Sequence, residues 1–331
     1  MLTERNEKMN FTPIDNKGLV DGFCIIKSID RKTSSKGDSY LDIMLGDADG
    51  EINAKLWRYS PELHGEYSAN ELVKIRGVIS PYNGTDQLKI ERIRHVGPED
   101  NVDAADFVKT ADYSGEAMFN ELLNIAEGFE DNELKLIVTE ILKDNRLKLL
   151  YWPAAFKLHH AIRSGLLLHS LSIVRLAQNV CKVYPFVDSE LLISGAILHD
   201  IAKLSEFEVA DTGIATGYSV EGNLIGHLAM GAMVINKYAE KLGISRKTAM
   251  LLEHMCISHH GEPEFGAAVR PMFIEAELLS ELDLMDARIY AMKEAVSSTN
   301  PEDFSGRLWS MDNRKLFNHS RKDLNENTNL F

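Results

Sequence analysis

Cysteine is scarce. Cys24, Cys181 and Cys256 are the only three in 331 residues, and no CxxC pair occurs. That spacing excludes a disulfide framework and a thiolate zinc site, and it suits core positions in a reducing compartment. Long apolar runs are missing as well. No stretch nears the roughly 20 residues needed to cross a bilayer, and the opening MLTERNEKMNFTPIDNK lacks the apolar centre of a signal peptide. A cytoplasmic location with no membrane partner is expected. Positive charge is in deficit, with 36 Lys and Arg against 50 Asp and Glu, a net of −14. Such a chain does not coat nucleic acid through bulk electrostatics, although a local binding surface remains open to it.

What is present fits an ordinary globular protein, with 44% hydrophobic and 26% charged residues. The length suits about two domains. From Gly18 to Gly97 the pattern has strand character. GFCIIKSID, SYLDIMLGD, GEINAKLW, ELVKIRGVIS and QLKIERIRHV are rich in β-branched and aromatic residues, several with alternating polarity. Turn chemistry separates them, including Asp-Ala-Asp-Gly before Glu51 and the pair Asn83 and Gly84. Five strands in about eighty residues predict a small closed barrel of the OB type. Residues 18–97 hold eleven Lys and Arg against twelve Asp and Glu, a net of −1, so the rest of the chain carries −13. Lys32 and Lys36 fall in the first strand connection, and Trp57, Arg58 and Tyr59 follow the third strand. This mixture of cation and ring is what single-stranded nucleic acid uses, and the competing reading is a core tryptophan beside a solvated charged face.

Beyond the barrel the periodicity is helical in GEAMFNELLNIAEGF, NELKLIVTEILK, GLLLHSLSIVRLAQNVCKVY, SELLISGAILHDIAKL, NLIGHLAMGAMVINKYAEKLG, SRKTAMLLEHMCISHH and MFIEAELLSELDLMDARIYAMKEAV. The expected organisation is a lead over 1–17, the barrel over 18–97, an acidic linker with connecting helices over 98–150, an all-α bundle over 151–295 and a tail over 296–331. Eight of the eleven histidines lie between His159 and His260. Several sit in apolar helical text: His169 in GLLLHSLSI, His199 beside Asp200 in AILHDIAKL, and His227 in NLIGHLAMG. Any one alone reads as a packed core histidine. Together they call for a shared cation, because buried polar groups cost free energy unless paired or metal-bound.

The order His169, then His199 with Asp200, then a late aspartate resembles the HD phosphohydrolase superfamily. The stretches PAAFKLHHAIRSGLLLHSLSI, AILHDIAKL, YSVEGNLIGHLAMG, HMCISHHGEPEFG and FSGRLWSMDNRKLF extend the likeness to the bacterial YhaM-type 3′-to-5′ exoribonucleases, over about residues 18–317. The resemblance implies an OB-fold joined to an HD domain, and a metal-dependent exonuclease releasing nucleoside monophosphates from single-stranded RNA. Asp283 matches the last ligand, with Asp286 as the competing choice. The resemblance implies metal ligands at His169, His199, Asp200 and Asp283, with His227 and His259 serving a second ion. His260 is expected to face phosphate, and Lys203, one turn after Asp200, to hold a phosphate oxygen or balance the carboxylates. His160 and Arg163 are weaker candidates for contacting RNA. His254, five residues before His259, is read as packed or hydrogen-bonded. Leu168 stands where relatives carry a glutamate. Imidazole and carboxylate donors suit Mn²⁺ above all, then Co²⁺, Fe²⁺ or Mg²⁺. Single-stranded DNA and a second copy of the chain stay open as partners. Competing functions are hydrolysis of a small signalling nucleotide or deoxynucleotide, and a nucleic-acid-binding regulator without activity.

Overall fold

A computed structural model describes residues 11–47, 50–82, 84–102, 104–156, 160–210, 212–324, 326 and 328–331. The chain forms two compact units, 1–110 with 209–216, and 111–208 with 217–331. Each is built by its own residue pattern.

In the first unit, β1 (Thr12–Pro13), β2 (Leu19–Thr33), β3 (Ser39–Gly46), β4 (Glu51–Trp57), β5 (Leu72–Tyr82) and β6 (Thr85–His95) form one sheet in the order β1-β2-β3-β4-β6-β5. The long strand β2 closes it. Its second half pairs antiparallel with β3 and its first half with β5, and the register shifts between Ile26 and Ser28. Strands β4 and β6 pair in parallel, and the short helix α1 (Pro61–His64) lies between β4 and β5 in the chain. This is the five-stranded OB barrel expected from the sequence. Alternation fills it: Leu41, Ile43 and Leu45, Ala54 and Leu56, Val73 and Ile75, and Leu88 and Ile90 all point into one buried cluster. The ends of the Asp-Ala-Asp-Gly turn are tied by Asp47, which accepts the Gly50 N–H at 2.9 Å. Residues 48 and 49 and Asn83 of the second turn lie outside the described residues.

The second unit is helical: α2 (Gly115–Glu127), α3 (Asn132–Leu149), α4 (Gly165–Val183), α5 (Ser189–Leu198), α6 (Lys203–Glu206), α7 (Val220–Leu224), α8 (His227–Leu242), α9 (Arg246–Ser258) and α10 (Ile274–Ser297). Side-chain caps start several of them, with Ser114, Asp131, Asp188 and Ser245 each accepting a backbone N–H of the first turn. The central helix α5 is buried from Leu191 through Leu198 and packs on α3, α4, α9 and α10, which is why it is apolar all round. Gly195 permits that closeness, since a Cβ there would stand 2.1 Å from Met255 Cε. Among the described residues no helix is long and apolar enough to cross a membrane.

Two features depart from the helical pattern. A hairpin of β7 (Phe207–Val209) and β8 (Ala215–Tyr218) interrupts the helices. The run AILHDIAKL is not one helix: α5 ends at Leu198, and its hydrogen bonds tighten to Ile201 N–H on Leu198 O and Lys203 N–H on Asp200 O.

Candidate metal centre

The end of α5 is an imidazole cap. His199 Nδ1 lies 3.1 Å from Ala196 O, an otherwise orphaned carbonyl of the last turn. The end of α9 repeats the device, with His259 Nδ1 2.8 Å from Cys256 O. A carbonyl oxygen only accepts, so both rings carry their proton on Nδ1 and turn the Nε2 lone pair inward. His227 opens α8, and Glu206 Oε1 accepts from its Nδ1 at 2.9 Å and from its backbone N–H at 3.0 Å. His169, one turn into α4, is held through Nδ1 by Asp286 at 2.8 Å. His260 Nδ1 is 2.9 Å from Phe265 O. Five rings are thus oriented from behind, the arrangement that metal-binding histidines require.

A close backbone approach sets the entry to α4. His160 and Ser164 both adopt left-handed backbone, with φ of 56° and 61°. A Cβ on Gly165 would stand 2.0 Å from His160 O, so only glycine fits there.

The inward-facing atoms converge on Asp200. Its Oδ2 lies 3.4 Å from His199 Nε2, 3.7 Å from His169 Nε2 and 2.6 Å from Lys203 Nζ. Its Oδ1 lies 3.5 Å from His227 Nε2 and 3.7 Å from His259 Nε2. Asp283 Oδ1 on α10 stands 3.1 Å from His169 Nε2. Two donors on one cation at about 2.1 Å are separated by about 3.0–3.4 Å, close to these spacings. The second group is the more telling. Asp200 Oδ1, His227 Nε2 and His259 Nε2 are buried and have no hydrogen-bond partner. Three such atoms facing one another cost several kcal/mol unless a cation sits among them. The donors therefore fit divalent metal, and His/Asp groups able to hold one include His169 with His199 and Asp200, and His227 with His259 and His260.

The electrostatics agree. Burial alone pushes His169 down, but Asp283 and Asp286 outweigh it and hold the ring up to about 10. Burial raises Asp200, and the Lys203 ammonium, with His199 beside it, reverses this and keeps it well below the usual carboxylate range. Asp283 is likewise held down by His169 against its burial. Burial and the neighbouring His199 depress His259, and burial with His227 depresses His260. In the absence of a cation, a protonated His169 balances the carboxylates.

The remaining sequence candidates separate. His160 is 2% exposed, its Nε2 2.9 Å from Asp286 and its ring 3.9 Å from that of Tyr290. It is therefore corrected from an RNA-contacting residue to a support behind His169, because Asp286 draws both rings inward. Asp286 Oδ2 lies 2.8 Å from His169 Nδ1 and 2.9 Å from His160 Nε2, on the side of His169 away from Asp283, and sequence reasoning weighed it only as an alternative ligand. Glu206 was missed; it follows Asp200 by six residues in the stretch DIAKLSEF, a proximity that was the usable signal. Tyr59 is 8% exposed and belongs to the barrel core, its hydroxyl donating to Gly65 O, so it offers no face to a strand. Trp57 is 43% exposed and stacks on Tyr40 at 4.5 Å. Lys32 and Lys36 are exposed, Lys32 pairing with Asp42 at 2.7 Å, and Arg58 is exposed. Arg163 is half-buried over Tyr151. His254 accepts the Met272 N–H at 3.0 Å, away from the centre. Leu168 is buried in apolar packing.

Asp286→Asn is expected to lower divalent-metal affinity about 10- to 100-fold while leaving the fold intact. Titration calorimetry with Mn²⁺, beside circular dichroism, checks it; unchanged affinity would remove Asp286 from its supporting role.

A barrel of OB topology joined to a helical domain whose histidines and aspartates gather around one carboxylate defines an HD-domain protein with a divalent-metal centre. The HD domain family model matches residues 166–288. The 3′-5′ exoribonuclease YhaM of Listeria innocua is 37% identical over 299 residues, covering 90% of this chain and 95% of the relative. The 3′-5′ exoribonuclease YhaM of Bacillus licheniformis is 36% identical over 298 residues, covering 90% and 94%. The chain belongs to the family of YhaM 3′-5′ exoribonucleases. Among solved structures, a single-stranded DNA binding protein from Thermus aquaticus matches 26% of this chain and 45% of its own, at 13% identity and TM-score 0.22.

Proposed function

We propose that this protein is a metal-dependent 3′-to-5′ exoribonuclease that hydrolyses single-stranded RNA to nucleoside monophosphates. The observation that carries the chemistry is the division of Asp200, whose two oxygens face two separate sets of imidazoles. His169, His199, Asp283 and Asp200 Oδ2 would hold one divalent ion, and Asp200 Oδ1, His227 and His259 a second, with Mn²⁺ the proposed ion. Such ions, when bound, lower the pKa of water and neutralise charge on phosphoryl oxygens. The chain's own groups do the positioning. Lys203 places its ammonium on Asp200 Oδ2, where a phosphate oxygen can share it. His260, neutral and bonded through Nδ1, presents Nε2 as a proton acceptor.

The barrel supplies the strand-binding surface through Trp57, Lys32, Lys36 and Arg58. Trp57→Ala is expected to weaken binding of single-stranded RNA by about 1–3 kcal/mol, the worth of one stacked base. Fluorescence anisotropy checks this, and unchanged affinity would move the surface elsewhere. The activity itself is tested with 5′-labelled single-stranded RNA, matching DNA and a nucleotide panel, each with and without Mn²⁺. Metal-dependent shortening of RNA from the 3′ end is the expected result. Turnover of the nucleotide panel alone would favour the small-nucleotide reading, and no turnover at all a binding protein.

A further inference from the structure

Beside the candidate metal centre lies a cavity of about 890 Å³ whose lining includes Asp200, Asp283, His227, His259 and His260. That volume takes a whole nucleotide, being well within the range of small-molecule sites. Aromatic side chains line it as well. Phe207 at the start of β7 is buried, and Tyr218 at the end of β8 meets it edge-on, with ring centroids 5.2 Å apart at 71°. Phe156 adds a third ring 5.8 Å from Tyr218. Tyr218 remains 44% exposed, so two neighbours fix the ring while much of it stays open. The part of the lining on α10 is different, offering the carboxylates of Glu277 and Glu281, which accept hydrogen bonds, and the Ser280 hydroxyl, which accepts or donates them. The cavity therefore has room and ring faces for a base and sugar beyond the scissile phosphate.

We infer that Tyr218, fixed by Phe207 and Phe156, is the stacking platform for the base of the 3′-terminal nucleotide. The inference rests on the exoribonuclease reading and deepens it. The β7–β8 hairpin then sets which end group is accepted, while the metal ligands perform the hydrolysis. Stacking is indifferent to base identity because every base has a π-face, so all four terminal nucleotides are accepted.

The test uses single-stranded RNA with an ordinary 3′-terminal nucleotide and the same RNA ending in an abasic ribose. The ratio of kcat/KM for the two substrates is measured for wild type, Tyr218→Ala and Tyr218→Phe. The ratio is expected to fall about tenfold in Tyr218→Ala, the lower part of the range for one stacked base, and to be kept by Tyr218→Phe. An equal loss on both substrates, or none, overturns the assignment. A binding measurement keeps this separate from the activity. Adenosine 5′-monophosphate should bind the wild-type protein about tenfold more tightly than ribose 5-phosphate, and Tyr218→Ala should erase the difference. If wild type fails to shorten RNA, the exoribonuclease reading falls, while the two monophosphates still decide the role of Tyr218. Equal binding of the two by wild type overturns it.

Discussion

Asp200→Ala is expected to abolish metal-dependent RNA shortening, with a loss of at least about a thousandfold, or about 4 kcal/mol of transition-state stabilisation. The size follows from position. Among the described residues, Asp200 is the one carboxylate within 3.7 Å of four imidazole nitrogens, those of His169, His199, His227 and His259. Its removal takes a donor from both groups and strands the Lys203 ammonium, which has its 2.6 Å contact there. Removal of a carboxylate that only packed would act on stability alone. Activity and Mn²⁺ binding measured on the same folded preparation separate the two cases. Metal-dependent shortening that persists in Asp200→Ala would sink the proposed chemistry. Wild type should also gain thermal stability on adding Mn²⁺, by mass action on the folded state, and the variant should gain far less.

The second large effect is on pH. His169 is held up to about 10 by Asp283 and Asp286 against its own burial, so it is protonated at neutral pH before a cation arrives. A metal requires the neutral ring, and binding must release that proton. Apparent Mn²⁺ affinity should therefore rise about tenfold per pH unit, or about a hundredfold between pH 6.5 and 8.5. Asp200, Asp283 and Asp286 are held low and are already ionised throughout that window, and His259 is held neutral. None of these four adds a proton. The stability of the metal-free protein runs the other way. A histidine raised above its ordinary value near 6.5 stabilises the fold fully below that value, and the gain is lost as pH climbs toward about 10. Calorimetry in buffers of different ionisation enthalpy gives the proton count directly. An affinity flat across the window would show that His169 is already neutral.

Much of this was legible in the chain because short-range rules suffice for it. Alternation in SYLDIMLGD and ELVKIRGVIS placed two strands and their buried faces, and the closed barrel followed from counting five such runs. The crowding of histidines in apolar text pointed to the candidate metal centre, since that many buried imidazoles call for a common partner. Other features rest on contacts between segments far apart in sequence. Nothing near His160 indicated that it lies behind His169, because Asp286, 126 residues later, draws it there. Nothing near Tyr59 showed that its ring would be enclosed while Trp57, two residues earlier, stayed partly open, because that depends on how the barrel closes.

The sequence by itself determined the two-part organisation, the helical faces and the kind of donor at the centre, all of which depend on residue type and local period. Tertiary structure alone decided which carboxylate oxygen faces which imidazole. It also decided that α5 stops at Leu198 so that His199 caps it, and that Tyr218 reaches the cavity from a hairpin. The physical reason is that orphaned carbonyls, lone pairs and ring faces acquire a role only when another segment is brought within a few ångströms of them.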